Sequence, residues 1–389
     1  MNEVSRRDAL RLGAVGLSSL IAGPALAGCG SSTSGGTSAP ANTPGPALAP
    51  FDDTRPAGAA TGLAKRVAWA NTADIGIFVA LGNGMKRAAT DTGLGYVTAN
   101  AAGNPQTNVN QMNTFLARGV GGMTVQPLNA AAQTPVMQRA LDQGVCVVGI
   151  INHPCTLQIA ASQYRIGYDQ GKAAADYIKA HLGGRATVFN QNQVKTNGQL
   201  ALRNVGLLKG LRTGGPGIKI LDTYVTVAQQ STPANIFSLM TTELQSHPDI
   251  NVVLGDDNFV LAAYRAFEQT GKLKPEMYFS GVDGDAQSLE LIKQGTPYRA
   301  SLAFAWPLMG YGMGRFSADW IAGRQIPRVM VANTTLLDSP AAVRAFEADN
   351  RDLRGTFENR SAYERYFPLL GNVSYADRKT FWDIDYIPR

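Results

Sequence analysis

The sequence predicts an α/β fold with two doubly wound parallel sheets, and three observations indicate it. From residue 65 onward, short apolar and β-branched runs alternate with runs of helical periodicity. The run Val145–Ile151 is continuously apolar, as is typical of a parallel strand buried on both faces. The predicted strands reach the number at which a single open twisted sheet becomes rare, so we expect two sheets.

Each predicted strand is a short apolar run, and each predicted helix repeats apolar residues every three or four positions. In the first half, strands are expected at Arg66–Ala70, Gly95–Ala99, Gly122–Val125 and Val145–Ile151, with helices at Val79–Thr90, Gln106–Arg118 and Ala130–Gln143. In the second half, strands are expected at Ala186–Phe189, Lys219–Tyr224, Asn251–Leu254, Met277–Val282 and Tyr298–Phe304. The accompanying helices are Gln170–His181, Gln199–Arg212, Pro233–Ser246, Phe259–Thr270, Ala286–Lys293 and Leu308–Ile321.

Length and composition exclude several classes of protein. The 389 residues suffice for two or three domains. With 44% hydrophobic and 16% charged residues, the chain is neither disordered nor a coiled coil. The net charge of +6 is spread along the chain, and no basic stripe interleaved with aromatic residues occurs. We therefore expect no binding to nucleic acid.

The first 28 residues have the pattern of an export signal. The segment Ser5–Arg11 carries twin arginines, and the uncharged stretch Leu12–Ala27 is shorter than a membrane-spanning helix requires. Leu26–Cys29 then matches the lipobox of bacterial lipoproteins, in which the cysteine thiol receives the lipid. Ala9 stands where twin-arginine signals usually carry Phe, so export by either the twin-arginine or the general secretory route stays open.

Residues 29–62 are predicted to form a lipidated Cys29 and a flexible linker. Positions 30–50 carry no charge and consist almost wholly of Gly, Ser, Thr, Pro and Ala, a composition that cannot bury a core. We expect a folded body anchored through Cys29 at the outer face of the cytoplasmic membrane. In that oxidising compartment, Cys146 and Cys155 either form a disulfide or remain two unrelated thiols, one buried and one in a loop.

The order of motifs in the body resembles the type I periplasmic sugar-binding proteins, the ribose- and galactose-binding class that serves ABC importers. Each motif is weak alone, but the motifs occur in the family's order and spacing. They are Ile77-Phe78, Gly119-Val120 with Gln126-Pro127, Asn152-His153, Arg203-Asn204-Val205-Gly206, Asp256-Asp257, Gly281-Val282-Asp283-Gly284 and Ala303–Pro307.

The resemblance implies the type I periplasmic-binding-protein fold, with two lobes joined by three crossing strands and a ligand between them. One lobe is expected to comprise residues 63–163 and 307–330, and the other residues 164–306 and 331–389. The expected ligand is a small sugar or polyol, which a monomer captures by hinge closure and delivers to an ABC permease. The last 50 residues extend beyond the family's usual end, and we expect their aromatic residues to pack on the second lobe; the alternative is a surface for a partner. These are Phe357, Tyr363, Tyr366, Phe367, Phe381, Trp382 and Tyr386.

Ligand contacts are expected where the family's motifs follow the strands. Asp283 would accept hydroxyl protons, Arg203 would donate in a fork, and Trp306 would offer a flat apolar surface. The full set of ligand-binding positions is Asp74, Ile77, Phe78, Asn152, His153, Arg203, Asp256, Asp283 and Trp306. For several of them an ordinary structural role stays open: a turn for Asp283 and His153, a surface cation for Arg203, the core for Phe78 and a loop acid for Asp74.

Three departures from the family's pattern indicate a retuned cleft. Ile75–Phe78 replaces Asn-Pro-Phe-Phe, Asn152-His153 replaces Asp-Arg, and Asp256 replaces an Asn. The more acidic cleft suits a polyol, another pentose or an amine-containing ligand better than ribose. The adjacent Asp257 is expected to cap the following helix. The run Asn190–Gln193 either faces the cleft or forms a solvated loop.

The sequence offers no catalytic apparatus. The three histidines do not form a metal-binding motif, and neither a G-x-S-x-G elbow nor a phosphate-binding loop occurs. We expect no cofactor and no metal. The alternatives to an importer subunit are a sensory partner of a membrane kinase or chemoreceptor, and a hydrolase built on the same scaffold.

Overall fold

The computed structural model describes residues 49–50, 62–150, 154–195, 198–226, 229 and 232–372. The predicted signal peptide, Cys29 and most of the linker lie outside the described residues, as do Asn152 and His153. Among the helices that the model describes, none is both long enough and apolar enough to cross a membrane.

The described chain contains fourteen strands. They are β1 (Ala49–Pro50), β2 (Arg66–Asn71), β3 (Gly95–Asn100), β4 (Gly122–Val125), β5 (Cys146–Ile150), β6 (Leu157–Ala161), β7 (Ala186–Asn192), β8 (Ile218–Tyr224), β9 (Ile250–Leu254), β10 (Tyr278–Asp283), β11 (Tyr298–Ala303), β12 (Val329–Ala332), β13 (Thr335–Leu337) and β14 (Leu369–Asn372).

The strands form two sheets, as the sequence predicts. The first has the order β1-β14-β12-β6-β5-β4-β2-β3, and only β14 and β1 run antiparallel to their neighbours. The second has the order β13-β11-β10-β9-β7-β8, and only β13 is antiparallel. The α/β class is therefore confirmed.

Helices flank both sheets, and several begin at side chains that accept a hydrogen bond from a free backbone N–H. Asn104, Asn129, Ser162, Thr232 and Ser339 cap in this way. The helices are α1 (Gly76–Asp91), α2 (Pro105–Ala117), α3 (Ala130–Asp142), α4 (Gln163–His181), α5 (Gly198–Arg212), α6 (Pro233–Ser246), α7 (Asp257–Gln269), α8 (Ala286–Lys293), α9 (Trp306–Ile321), α10 (Pro340–Arg351), α11 (Leu353–Glu358) and α12 (Arg360–Glu364).

The chain passes between the sheets at three short crossings. Only Ser162 separates β6 in the first sheet from α4, which packs on the second. The second crossing connects β11 to α9, a helix that returns to pack against α1. The third connects β12 to β13. The two sheets and their helices therefore form two lobes, with the crossings beside the interlobe space.

The segment after residue 331 is shared between the lobes, which corrects its expected assignment to the second lobe alone. β13 extends the second sheet, but β14 pairs with β12 and extends the first. The aromatic cluster also packs on the first lobe. The Phe357 ring lies 5.6 Å from the rings of both Tyr311 and Phe316 of α9 and 4.9 Å from that of Tyr363. Phe381, Trp382 and Tyr386 lie outside the described residues.

The two described cysteines, Cys146 and Cys155, are both buried and no disulfide joins them. Cys146 packs with the residues of α9, whereas Cys155 packs with the core beneath α2 and α3 on the opposite face. Burial also raises the pKa of Cys146 to about 12, which makes its thiol a poor nucleophile.

We predict that Gly167→Ala destabilises the protein by about 1–3 kcal/mol or more, because a Cβ at this position of α4 would lie 1.8 Å from the Arg203 carbonyl oxygen of α5. Gly76→Ala is the matched control, since its Cβ would meet nothing within 4 Å. Urea unfolding of the three proteins measures the difference. Equal stability of the two variants would contradict the close approach of α4 and α5.

Candidate functional site

A cavity of about 160 Å³ lies between the two lobes and is lined from both. The carboxyl ends of β5 and β6 and strand β12 supply its wall from the first lobe, and α5 and the end of β10 supply polar groups from the second. Parallel sheets bind ligands at this edge of their strands. Three lining residues are polar: Gln163, Arg203 and Asp283. The others are Ile150, Ile159, Ala160, Ala161, Leu200, Phe304, Trp306, Met309 and Ala332.

Arg203 is fixed at the cavity wall by two neighbours. Its Nη1 lies 2.6 Å from a carboxylate oxygen of Asp256, and the two side chains are 15% and 18% exposed. Its Nε donates to the side-chain oxygen of Gln163 at 2.8 Å. The second oxygen of Asp256 accepts from the amide of Gln193. Arg203 is thus a held cleft residue and not a surface cation, and Asp256 orients it.

Asp283 ends β10 with a strained backbone. Its φ of 114° is a conformation that residues other than glycine rarely adopt. Its carbonyl oxygen accepts a hydrogen bond from the indole of Trp306 at 2.9 Å, and its carboxylate lines the cavity. Burial, and then the negative charge of Asp256, raise the pKa of Asp283 well above its ordinary value. Strain of this kind concentrates at ligand sites, where surrounding contacts maintain it.

Asp257 supports the turn that carries Asp283, and this corrects its expected role as a helix cap. The helix α7 begins at Asp257 itself, and the side chain is buried beneath the turn. Its carboxylate accepts from the backbone amides of Gly284 and Asp285 at 2.8 and 2.7 Å. The hydroxyls of Tyr298 and Ser301 also donate to it, at 2.7 and 2.8 Å. Burial raises its pKa to about 7 despite these hydrogen bonds.

Two aromatic rings form the apolar surface of the second crossing. Phe304 and Trp306 lie with ring centroids 4.8 Å apart, and both line the cavity. The motif Ala303–Pro307 predicts a ligand-contacting turn that contains both residues, but only Trp306 was named as a contact, and Phe304 was predicted to be the last residue of a strand. The strand in fact ends at Ala303, and this early end turns the Phe304 ring toward the cavity. Gln163 and Met309 were missed as well, because neither belongs to a motif.

The first lobe contributes fewer of the predicted contacts. Asp74 is exposed and accepts from the amide of Asn71 at 2.9 Å, and Ile77 is half-buried. Phe78 is also half-buried and packs against the core, which was the alternative role considered for it. None of these three residues is part of the cavity lining that the model describes. Asn152 and His153 lie outside the described residues.

The amides that follow Phe189 belong to β7 and are not a solvated loop. Asn190, Gln191 and Asn192 are buried within the strand. Asp222 on the neighbouring strand accepts from Asn190 and Asn192 at 2.8 and 2.6 Å, and from Asn204 of α5 at 3.1 Å. This network ties α5, which carries Arg203, to the sheet.

The described polar groups can bind hydroxyls but have no catalytic arrangement. A carboxylate and a guanidinium face an apolar cavity with two aromatic rings, a combination that suits a ligand with both hydroxyls and C–H surfaces. Across the described ranges, no three His, Cys, Asp or Glu side chains are grouped so that they would hold a metal ion.

The comparisons with known proteins define the class of this chain. The model of the periplasmic binding protein domain family matches residues 67–325, so the chain belongs to that family. Its relatives are solute-binding proteins of sugar ABC transporters and are not enzymes. The expected family is therefore confirmed.

Individual relatives are distant in sequence. The ribose import binding protein of Haemophilus influenzae is 25% identical over 269 residues, which cover 64% of this chain and 83% of that protein. A solute-binding protein of Bacillus halodurans with bound myo-inositol has a TM-score of 0.63 at 17% identity, covering 74% of this chain and 99% of the other. A twin-arginine translocation pathway signal protein of Burkholderia phytofirmans has a TM-score of 0.65 at 20% identity, covering 80% of this chain and 99% of the other.

We predict that the Asp257 carboxyl lowers the free energy of unfolding progressively as the pH rises from about 4 to about 7. The raised pKa of Asp257 means that the folded state binds this proton more tightly than the unfolded chain. The contribution of Asp257 to the free energy of unfolding is complete below pH 3.8 and is lost as the pH rises to about 7. The slope reaches up to about 1.4 kcal/mol per pH unit. Asp283, whose pKa is also raised, acts in the same direction.

Urea unfolding across this pH range measures the effect. Asp257→Asn is expected to abolish this contribution, so its stability relative to the unmodified protein is expected to increase between pH 4 and pH 7, and Asp142→Asn, at an exposed helix end, is the control. An unaltered slope in Asp257→Asn would show that the buried carboxyl does not titrate in this range.

Proposed function

We propose that this protein is the substrate-binding lipoprotein of an ABC importer and that it captures a small sugar or polyol between its lobes. Arg203 and Asp283 bind the ligand's hydroxyls, and Phe304 and Trp306 cover its C–H surface. Closure of the lobes about the three crossings then creates the form that the permease accepts.

The observation that carries this proposal is that the fixed Arg203 and the strained Asp283 line one cavity. A guanidinium held by Asp256 and Gln163 needs no reorganisation when a ligand arrives, so little affinity is lost to ordering it. A carboxyl group that is covered by a ligand and left without a hydrogen-bond partner is costly, which favours ligands that carry hydroxyls over purely apolar ones. The ligands named for the relatives, ribose and myo-inositol, support the same class.

Export and anchoring rest on the sequence. The twin-arginine segment and the lipobox at Cys29 support a lipoprotein that is tethered to the outer face of the cytoplasmic membrane by a flexible linker. The structural relative from Burkholderia phytofirmans is described as a twin-arginine translocation pathway signal protein, which supports that route. The body is proposed to act as a monomer.

A second candidate ligand class is a small amine, and the charge balance of the cleft favours it. Burial and the nearby charge of Asp256 disfavour the ionised form of Asp283, so a cationic group placed beside it would relieve that cost. An ammonium group would bind there more tightly than a hydroxyl.

A thermal-shift screen of the body from Thr61 onward tests the proposal. D-ribose, D-glucose, myo-inositol, tetritols and pentitols form the polyol panel, and D-glucosamine is paired with D-glucose. A ligand at a thousand times its Kd adds about 4 kcal/mol and is expected to raise the Tm by several degrees. Hits among neutral polyols support the first ligand class, and a hit confined to D-glucosamine supports the second. No hit in either group would sink the proposal.

Asp283→Asn is expected to weaken the best polyol hit about 10- to 100-fold, because hydrogen bonds to a charged group contribute about 1.5–3 kcal/mol. Isothermal titration calorimetry gives the affinities. Asp142→Asn, an exposed change outside the cavity, serves as the control and is expected to bind like the unmodified protein. Equal affinities for all three proteins would place the ligand elsewhere.

In cells, Cys29→Ser is expected to release the protein from the membrane fraction and to abolish its labelling with palmitate. Cys155→Ser is the matched control, because that cysteine is buried in the folded body. Continued labelling of Cys29→Ser would overturn the assignment of the anchor.

A further inference from the structure

One face of α4 carries two glutamines. One binds Arg203 directly, and the other binds backbone carbonyl groups near Asp256 and Asp283. Gln163 and Gln170 are seven residues apart, which is two helical turns and places them on the same face. Both are buried, at 7% and 1% exposure. Neither belongs to a motif that the sequence analysis identified.

Gln163 holds Arg203. Its side-chain oxygen accepts from the Arg203 Nε at 2.8 Å, while Asp256 occupies the Nη1. The guanidinium is planar, so fixing Nε and Nη1 together determines the direction of the whole group.

Gln170 ties together the ends of two strands. Its Nε2 donates to the carbonyl oxygens of Gly255 at 3.0 Å and Ser280 at 2.9 Å. Gly255 immediately precedes Asp256, and Ser280 lies three residues before Asp283. One buried amide therefore joins the backbone that follows β9, next to Asp256, to β10, which ends at Asp283.

Gly167 lies between the two glutamines on the same face and lets α5 approach. A Cβ there would lie 1.8 Å from the Arg203 carbonyl oxygen, so the backbones of α4 and α5 are in direct contact at Arg203. α4 is also the first element after the β6 crossing, since only Ser162 separates it from the first lobe's sheet.

We propose that Gln163 and Gln170 are positioning residues for ligand binding: α4 uses them to hold Arg203, Asp256 and Asp283 in one arrangement. Neither needs to touch the ligand to do so. The inference rests on the proposed function for its affinity measurements, but its geometric claim is testable without any ligand.

The test compares Gln163→Leu and Gln170→Leu with Gln158→Leu. Gln158 is the matched control because it is a glutamine with 1% exposure on β6, and the described part of the chain offers its amide no hydrogen-bond partner. Calorimetry with D-ribose and myo-inositol as probes is expected to show a loss of about tenfold or more for Gln163→Leu and Gln170→Leu. Gln158→Leu is expected to bind like the unmodified protein.

Gln163→Glu separates positioning from packing. It keeps an oxygen that accepts from the Arg203 Nε, so its affinity is expected to recover to within about threefold of the unmodified protein. A Gln163→Glu variant as weak as Gln163→Leu would overturn the role of the hydrogen bond.

The ligand-free readout uses two NMR resonances. The Arg203 Nε–H signal is expected to shift in Gln163→Leu, and the Trp306 indole N–H signal in Gln170→Leu, because that indole donates to the Asp283 carbonyl. Arg203→Lys and Trp306→Phe assign the two signals, and Gln158→Leu is expected to shift neither. Resonances that match those of Gln158→Leu would overturn the proposal.

If neither probe binds the unmodified protein, that result counts against the ligand class and the two resonances alone decide the positioning role. If Gln170→Leu fails to fold, Gln163→Leu and Gln163→Glu decide whether Gln163 positions Arg203, and the claim for Gln170 is withdrawn.

Discussion

Arg203 and Asp256 meet at 2.6 Å with less than a fifth of each side chain exposed, and the geometry of the cleft depends on this pair. A buried ion pair is weak evidence for stability, because desolvating both charges offsets much of their attraction. The ion pair matters here because it fixes the direction of the Arg203 guanidinium. Gln163 accepts from the Arg203 Nε, and Gln193 donates to the second oxygen of Asp256, so the guanidinium is held in one orientation and its other N–H groups stay available to a ligand. Removing either charge would leave the other buried and uncompensated.

Asp283, the second acidic residue of the cleft, is likewise held by neighbouring groups. Asp283 lies in a strained conformation that is maintained from two sides, by the Trp306 indole above and by the Asp257 carboxylate beneath the turn. Asp257 receives four hydrogen bonds, more than it would need to cap a helix. Its burial accounts for a pKa of about 7, so the same residue couples the cleft to pH near neutrality. The strained turn at Asp283 and the raised pKa of Asp257 therefore both depend on the buried position of the Asp257 side chain.

Much of the fold could be predicted because the spacing of apolar residues along the sequence follows which faces of the strands and helices are buried. The continuous apolar run at Val145–Ile151 and the alternation of strand and helix patterns from residue 65 onward predicted both sheets. β6 was missed because Gln158 interrupts its apolar pattern, and the short strands β12, β13 and β14 were not predicted either. Arg203, Asp283 and Trp306 were predicted from motifs and share one cavity. Gln163 and Phe304 were not, since their roles depend on where α4 begins and where β11 ends. Partners brought together by the fold, such as Asp257 with Tyr298, leave no local signal in the sequence.

The central claim is that ligand bridges the lobes and closes them, and small-angle X-ray scattering of the body tests it most directly. The account predicts that a saturating amount of the sugar or polyol with the largest thermal shift lowers the radius of gyration and narrows the pair-distance distribution. With the ligand at about ten times the Kd of the unmodified protein, Asp283→Asn is predicted to be no more than about half occupied and to shift the profile correspondingly less. A bound ligand that leaves the scattering profile of the unmodified protein unchanged would contradict hinge closure.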